Sequence, residues 1–308
     1  MKRRRRRPSK TIKHTFVYWL VLILFASVRR MSRRTALRFG EALGSAAFHL
    51  FSKERAKVQK HLSITFPDRS PRTIVRLSRA VFVHLGKNAV DLMRMGSSTK
   101  AELDRIVSAE GLEHLDRARE EGKGVLLLSG HIGNWELLGA YLAMKGYPVS
   151  VVGKSLNNTR LDRLLVSHRE RFGLRNIARG KATREILRAL HRGKFVAFLI
   201  DQDTKVEGAF VDFFGRPAFT PTGPVTLSLK LGAPIVPIAI HREQDDTHHF
   251  IVRPPIELIR TGDETEDRRI NTAHCSKIIE DFIREHPAQW VWMHRRWKTK
   301  AMKVKTEK

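Results

Sequence analysis

Four stretches of this 308-residue chain are apolar almost without interruption: 124–128 (GVLLL), 149–152 (VSVV), 195–200 (FVAFLI) and 235–240 (IVPIAI). A strand with one wet face alternates apolar and polar side chains. A run without that alternation predicts a strand covered on both faces. Between the runs lie segments with helical spacing, 135–145, 160–172, 183–192 and 224–231. Strands alternating with helices predict an α/β fold, a mixed, mostly parallel central sheet flanked by helices. Segment 250–259 is expected to add edge strands, and 270–285 a closing helix. Upstream, 36–51, 52–62, 73–95 and 111–121 read as helices, with a turn at Phe66-Pro67-Asp68. A hydrophobic content of 42% with 29% charged residues excludes wholesale disorder. The single cysteine, Cys275, excludes a disulfide framework and a cysteine-rich zinc module.

Charge is the anomaly. Lys and Arg total 58 against 31 Asp and Glu, a formal net charge of +27. Residues 1–34 hold twelve of the basic side chains, and the first acid is Glu41. Such a surface seeks polyanions: nucleic acid, anionic lipid or an acidic protein. No zinc-finger or aromatic RNA-binding block accompanies the charge, so no specific nucleic-acid partner is expected.

The basic head brackets a run of thirteen apolar or small residues, 16–28 (FVYWLVLILFASV). As a helix this core spans about 20 Å, against about 30 Å of hydrocarbon. Tyr18 and Trp19 suit the headgroup level. A signal peptide fits poorly, because Arg29 and Arg30 follow at once where cleavage needs small residues. The reading adopted is an N-terminal membrane-anchoring segment held by polybasic flanks on an anionic membrane. Residues 1–51 then form the basic head and anchor helices, and 52–308 the catalytic domain.

The segment 126–139, LLLSGHIGNWELLG, carries the chemistry. An apolar strand ends at Ser129-Gly130, His131 follows, and a helix starts near Trp135. Ligands bind at the carboxyl ends of parallel strands, where His131 stands. Glu136, in the first helical turn, is expected to fold back and fix the tautomer of His131. The other ring nitrogen is then free to take a proton from a hydroxyl. No Ser or Cys nucleophile lies beside the pair, so it suits direct attack of an alcohol on an acyl carbonyl. Gly130 and Gly133 allow close backbone approach, and N–H groups there are candidates for the oxyanion. The plain alternative is a loop histidine and a surface acid. No HExxH is present, so neither metal nor cofactor is expected. A rival reading takes Asp201 and Asp203 as the DxD of a metal-dependent glycosyltransferase.

GHIGNWE resembles the His-x4-acid signature of the lipid A late acyltransferases, the lauroyl and myristoyl transferases within the glycerolipid acyltransferase superfamily. Further blocks follow in register. LIDQD at 199–203 resembles the family's Asp-Gln-Asp block, with Ile200 where a proline is common. FFGRPAFTPTG at 213–223, QWVWMHRRWKT at 289–299 and KHLSITFPD at 60–68 are similar to its remaining blocks.

The resemblance implies an acyl carrier protein thioester as donor and, as acceptor, a lipid A precursor or other glycolipid bearing a hydroxyl. It also implies a single N-terminal anchor at the cytoplasmic face of the inner membrane. His131 becomes the general base, oriented by Glu136, and Arg169 in HRERFG matches a downstream arginine, with Arg171 close by. Relatives that act on other lipids leave coenzyme A open as a carrier. Gly133, Asn134, Lys154, Asp203, Arg216, Thr222 and Gly223 are the expected substrate-binding residues. Arg295 and Arg296 are further candidates for phosphate. Pro224 in the first turn marks a helix start after Thr222 and Gly223.

Overall fold

The computed structural model describes residues 8–96, 98–178 and 182–300. The arginine run at 3–7 lies outside them.

Four helices come first: α1 Pro8–Arg30, α2 Arg33–Leu50, α3 Ser52–Thr65 and α4 Pro71–Met95. Helix α1, at 23 residues, is about 35 Å long. Its helical span outruns the thirteen-residue apolar core on both sides. Among the described residues it is the one helix long and apolar enough to cross a membrane, by length and composition. Phe16, Trp19, Leu20 and Ile23 on it are exposed. It leans on the body at a few points, where Arg29 Nε donates to the Met93 carbonyl and Asn158 Nδ2 to the His14 carbonyl.

Helix α2 packs on α4 through small residues. A Cβ on Gly86 would come 2.1 Å from the Gly40 carbonyl oxygen, and one on Gly44 2.4 Å from that of Phe82. Only glycines allow this approach, and the pair buries Phe48 against Phe82.

The body alternates as expected. After α5 Lys100–Ile106 come β1 Val107–Glu110, α6 Leu112–Glu120, β2 Val125–Ser129, α7 Trp135–Met144, β3 Val149–Gly153 and α8 Thr159–Arg171. Then follow β4 Arg175–Ala178, α9 Ala182–Leu190, β5 Phe195–Leu199, β6 Gly208–Asp212, β7 Pro217–Pro221, α10 Gly223–Leu231, β8 Ile235–Arg242, β9 His248–Val252 and α11 Glu264–Glu285. Seven strands form one sheet in the order β1-β9-β8-β2-β5-β3-β4. All neighbours are parallel except β8 and β9.

Strand β2 is central and buried throughout, and the pleat explains its apolar run. Leu126 and Leu128 enter the core shared with Ile279, Ile283 and Trp290. Val125 and Leu127 enter the opposite core with Leu137, Tyr141 and Phe250. The chain leaves β2 towards β3, past β5, and leaves β5 towards β8, past β2. Connections running in opposite directions open a crevice at the carboxyl ends of β2 and β5.

One expectation needs correction. Segment 250–259 contributes no edge strand: β9 is His248–Val252 and lies between β1 and β8, and 253–261 is irregular. The pair β6–β7 forms a separate antiparallel hairpin. Its turn places Phe214 at φ 55°, held by Glu280, which accepts from the Phe214 amide at 2.6 Å.

Candidate active site

The register of the two central strands builds the site. Ser129 on β2 pairs with Leu199 on β5. Two residues beyond each partner stand His131 and Asp201, side by side. Asp201 Oδ1 lies 2.8 Å from His131 Nδ1, and Oδ2 accepts from the His131 amide and from Trp290 Nε1, both at 2.7 Å. Burial alone would raise the Asp201 carboxyl. The His131 imidazole beside it, with its hydrogen bonds, outweighs burial and holds the group well below the usual carboxylate range. An ionised carboxylate against Nδ1 puts the ring proton there and leaves Nε2 as the acceptor.

Nε2 faces Gln202. The Gln202 amide nitrogen donates to His131 Nε2 at 3.0 Å and to His294 Nε2 at 2.9 Å, bridging two imidazoles. The rings of His131 and His294 are 5.0 Å apart, edge to face, and Trp135 flanks His131 at 5.2 Å. Burial lowers His294 to about 4, so it is neutral at physiological pH. Ligand atoms of His131, Asp201 and His294 come within 4.8 Å of one another, the spacing of a metal site. Asp201 accepts three N–H groups and the Gln202 amide meets both Nε2 atoms, while His294 Nδ1 is buried without a partner.

The second carboxylate does different work. Glu136 sits in the first turn of α7 and binds Arg169 of α8 bidentately, at 2.9 Å from Nε and 2.6 Å from the second terminal nitrogen. Asn176 on β4 takes the remaining nitrogen at 2.9 Å. Burial acts to lower Arg169, but the Glu136 pair overrides it and raises the group, fixing its charge. His131, Trp135, Lys154, Leu165, Arg169 and Gln202 line one cavity of about 410 Å³. Two apolar recesses adjoin it. One of about 60 Å³ lies under α7 among Leu138, Leu142 and Leu174, and one of about 240 Å³ between α9 and α10.

Comparison with known proteins gives the family. The family model described as bacterial lipid A biosynthesis acyltransferase matches residues 4–299. The chain belongs to that family. A lipid A biosynthesis palmitoleoyltransferase of Escherichia coli K12 is 27% identical over 85% of each chain. A lipid A biosynthesis acyltransferase of Haemophilus influenzae is 24% identical over 90% of this chain and 84% of its own. A phosphatidylinositol mannoside acyltransferase of Mycobacterium tuberculosis H37Rv is 29% identical over 64% of this chain and 61% of its own. The protein is an acyltransferase.

Of the residues expected from sequence, the acyltransferase brings His131, Lys154 and Arg169 to one cavity, while Glu136 lines the adjoining recess under α7 with Arg169. It does not pair Glu136 with His131. Both Glu136 oxygens are taken by Arg169, and Asp201 holds Nδ1 instead. Arg169 is thereby distinguished from Arg171, which is exposed.

Other expected groups are engaged elsewhere, buried or off the cavity of His131. The Gly133 amide donates to the Gln289 carbonyl at 2.9 Å and the His131 amide to Asp201, so neither is free for an oxyanion. Gly133 is required for packing: at φ 55°, its Cβ would lie 1.8 Å from the Ile240 carbonyl oxygen. Asn134 is the N-cap of α7, accepting from the Leu137 amide. Thr222 is buried at the start of α10, and Gly223 lines the recess between α9 and α10, away from His131. Asp203 accepts from the Thr299 amide and hydroxyl at 2.6 and 2.9 Å. Asp201 and Asp203 thus serve separate partners, which removes the basis of the DxD reading. Arg296 is buried over the Phe213 ring and donates to the Phe219 carbonyl, a structural duty, whereas Arg216 and Arg295 are exposed.

Sequence reasoning missed Asp201 as the partner of His131, and it missed Gln202 and His294. The signal for Asp201 was present: both residues follow the ends of apolar runs that pair in parallel.

Proposed function

We propose that this protein is a membrane-associated O-acyltransferase. It moves a fatty acyl group from an acyl carrier protein thioester to a hydroxyl of a lipid A precursor or related glycolipid. The observation that carries the reading is the Asp201–His131 pair, in which the carboxylate accepts from Nδ1 and leaves Nε2 as the acceptor beside the cavity. The acceptor hydroxyl displaces the Gln202 amide from Nε2, and His131 takes its proton as the oxygen bonds to the thioester carbon. The tetrahedral intermediate collapses, the carbon–sulfur bond breaks, and the thiolate recovers the proton from the imidazolium. Gln202, once displaced, offers neutral N–H donors to the oxyanion, and Arg169 supplies fixed positive charge on the same wall.

The names of the relatives support the acceptor class, since they act on lipid A or on a phosphatidylinositol mannoside. The two apolar recesses support a reaction that houses hydrocarbon. Helix α1 supports attachment to a membrane; the reading places the catalytic body on the cytoplasmic face of the inner membrane, where an acidic carrier protein would meet a chain of net charge +27. Mass spectrometry of membrane glycolipids from cells with and without the protein tests the reading. A gain of one acyl mass, absent when His131→Ala replaces the wild type, is the expected result. Identical glycolipid profiles would reject it.

A further inference from the structure

Immediately after His294 the chain forms a second concave site. Lys60 of α3, Arg216 of the β6–β7 turn, and Arg295, Lys298 and Lys300 of the C-terminal segment converge on an open basin of about 410 Å³. No carboxylate lines it. None of the five cations makes an ion pair among the described residues, whereas nearby Lys57 pairs with Glu54. Two nearby acids are turned to neutral donors outside the lining, Asp203 to Thr299 and Asp212 to the Gly215 amide at 3.0 Å. Three separate elements therefore bring five cations to one basin with no carboxylate in its lining, an excess of positive charge that favours a multivalent anion.

The basin also has an aromatic side. Trp297 lines it and meets the His61 ring edge to face at 5.4 Å, and His61 Nδ1 lies 2.8 Å from the Trp292 carbonyl oxygen, fixing that ring. An indole offers a flat apolar surface to the face of a sugar ring, and lysines and arginines around it suit a phosphate. The position is close to the chemistry, because Arg295 directly follows His294, whose ring is 5.0 Å from that of His131.

We propose that this basin binds a phosphorylated sugar headgroup of the acceptor, the phosphate between Arg216, Arg295 and the lysines and the sugar against Trp297. The proposal rests on the glycolipid-acceptor reading. The test uses the full-length enzyme in detergent and the triple variant Arg216→Ala, Arg295→Ala, Lys298→Ala, all exposed positions. The probe is glucose 1-phosphate, with glucose and inorganic phosphate as references, followed by calorimetry. Wild type is expected to bind glucose 1-phosphate about tenfold or more tighter than either reference, and the variant to lose that advantage. The variant should also raise the acceptor KM about tenfold or more while the KM for the acyl carrier protein thioester stays within about twofold.

Equal binding of glucose 1-phosphate by variant and wild type would overturn the proposal. So would inorganic phosphate binding as tightly as the sugar phosphate, which would leave a bare anion site. A rise in the carrier-protein KM alone would also overturn it, making the basin a docking face for an acidic protein. The calorimetric difference needs no turnover, so it holds or fails separately from the assignment of the acceptor.

Discussion

Replacing Asp201 with asparagine changes one atom and reverses the electronic role of His131. Asp201 Oδ2 accepts two N–H donors, the His131 amide and Trp290 Nε1, each at 2.7 Å. An asparagine must place its single oxygen there, since its NH2 group would face two donors. The NH2 group is then directed at His131 Nδ1, which must become an acceptor, and the ring proton moves to Nε2. The nitrogen facing the cavity no longer has a lone pair for the acceptor hydroxyl. The loss is the whole general-base contribution plus the wrong tautomer, about 10³–10⁴-fold in kcat. That corresponds to about 4–5.5 kcal/mol on the barrier. The fold should change by less than about 2 kcal/mol, because one oxygen still serves both buried donors. Turnover with saturating acyl carrier protein thioester, ¹⁵N spectra of the imidazole tautomer and a melting curve read the three quantities. A variant within tenfold of wild type, or one keeping the Nδ1–H tautomer, would refute the assignment. Glu136→Gln is the control. It removes one of two bonds to Arg169 and leaves Nδ1 untouched, so its loss should be smaller, about 10–100-fold. A larger loss than for Asp201→Asn would reverse the roles of the two carboxylates.

Asp91→Asn should destabilise the fold by about 3–5 kcal/mol, because Asp91 is the buried partner of Arg242, 1% exposed, at 2.7 Å; a denaturant midpoint equal to wild type would contradict this. His84, His286 and His294 are each pushed down to about 4, mainly by burial, from an ordinary 6.5. Between these values the unfolded chain binds more protons than the folded one, so their contribution is full above 6.5, is lost as pH falls from 6.5 to about 4, and changes no further below that; an unchanging urea midpoint across that range would count against it. Replacing 16–28 by polar residues should release the protein from membranes, and unchanged sedimentation with the membrane pellet would argue against the anchor.

The elements legible in the sequence are those whose signal is local. Strands β2 and β5 declare themselves because both faces are covered. The end of β2 locates His131, since the apolar run stops just before it. Strand β9 hid behind His248 and His249. His248 is fully buried only because Asp91, on α4, meets its Nε2 at 3.2 Å, a partner 157 positions away. A separation of 70 positions concealed Asp201 from His131 in the same way. A reading confined to one loop offers His131 the nearest acid, Glu136, and cannot see that Arg169 claims it. Only the register that sets Ser129 opposite Leu199 places Asp201 beside the ring, and the lengths of the two apolar runs do not specify it.

Neither loop at the strand ends holds its shape alone, which explains why the closing segment belongs to the site. The Gln289 carbonyl takes the Gly133 amide, Ile132 bridges to Trp290, and the Val291 amide donates to the His131 carbonyl. Trp290 then passes its indole N–H to Asp201, so one residue ties the β2 loop to the β5 loop. Farther on, His294 receives Gln202, and Thr299 caps Asp203. Asp201 is ionised in a dry setting because three donors converge on it, and two of those three depend on backbone held by residues 289–291. The tautomer of His131 is therefore set by tertiary structure spanning the whole body, and the base is assembled only when the last segment has docked.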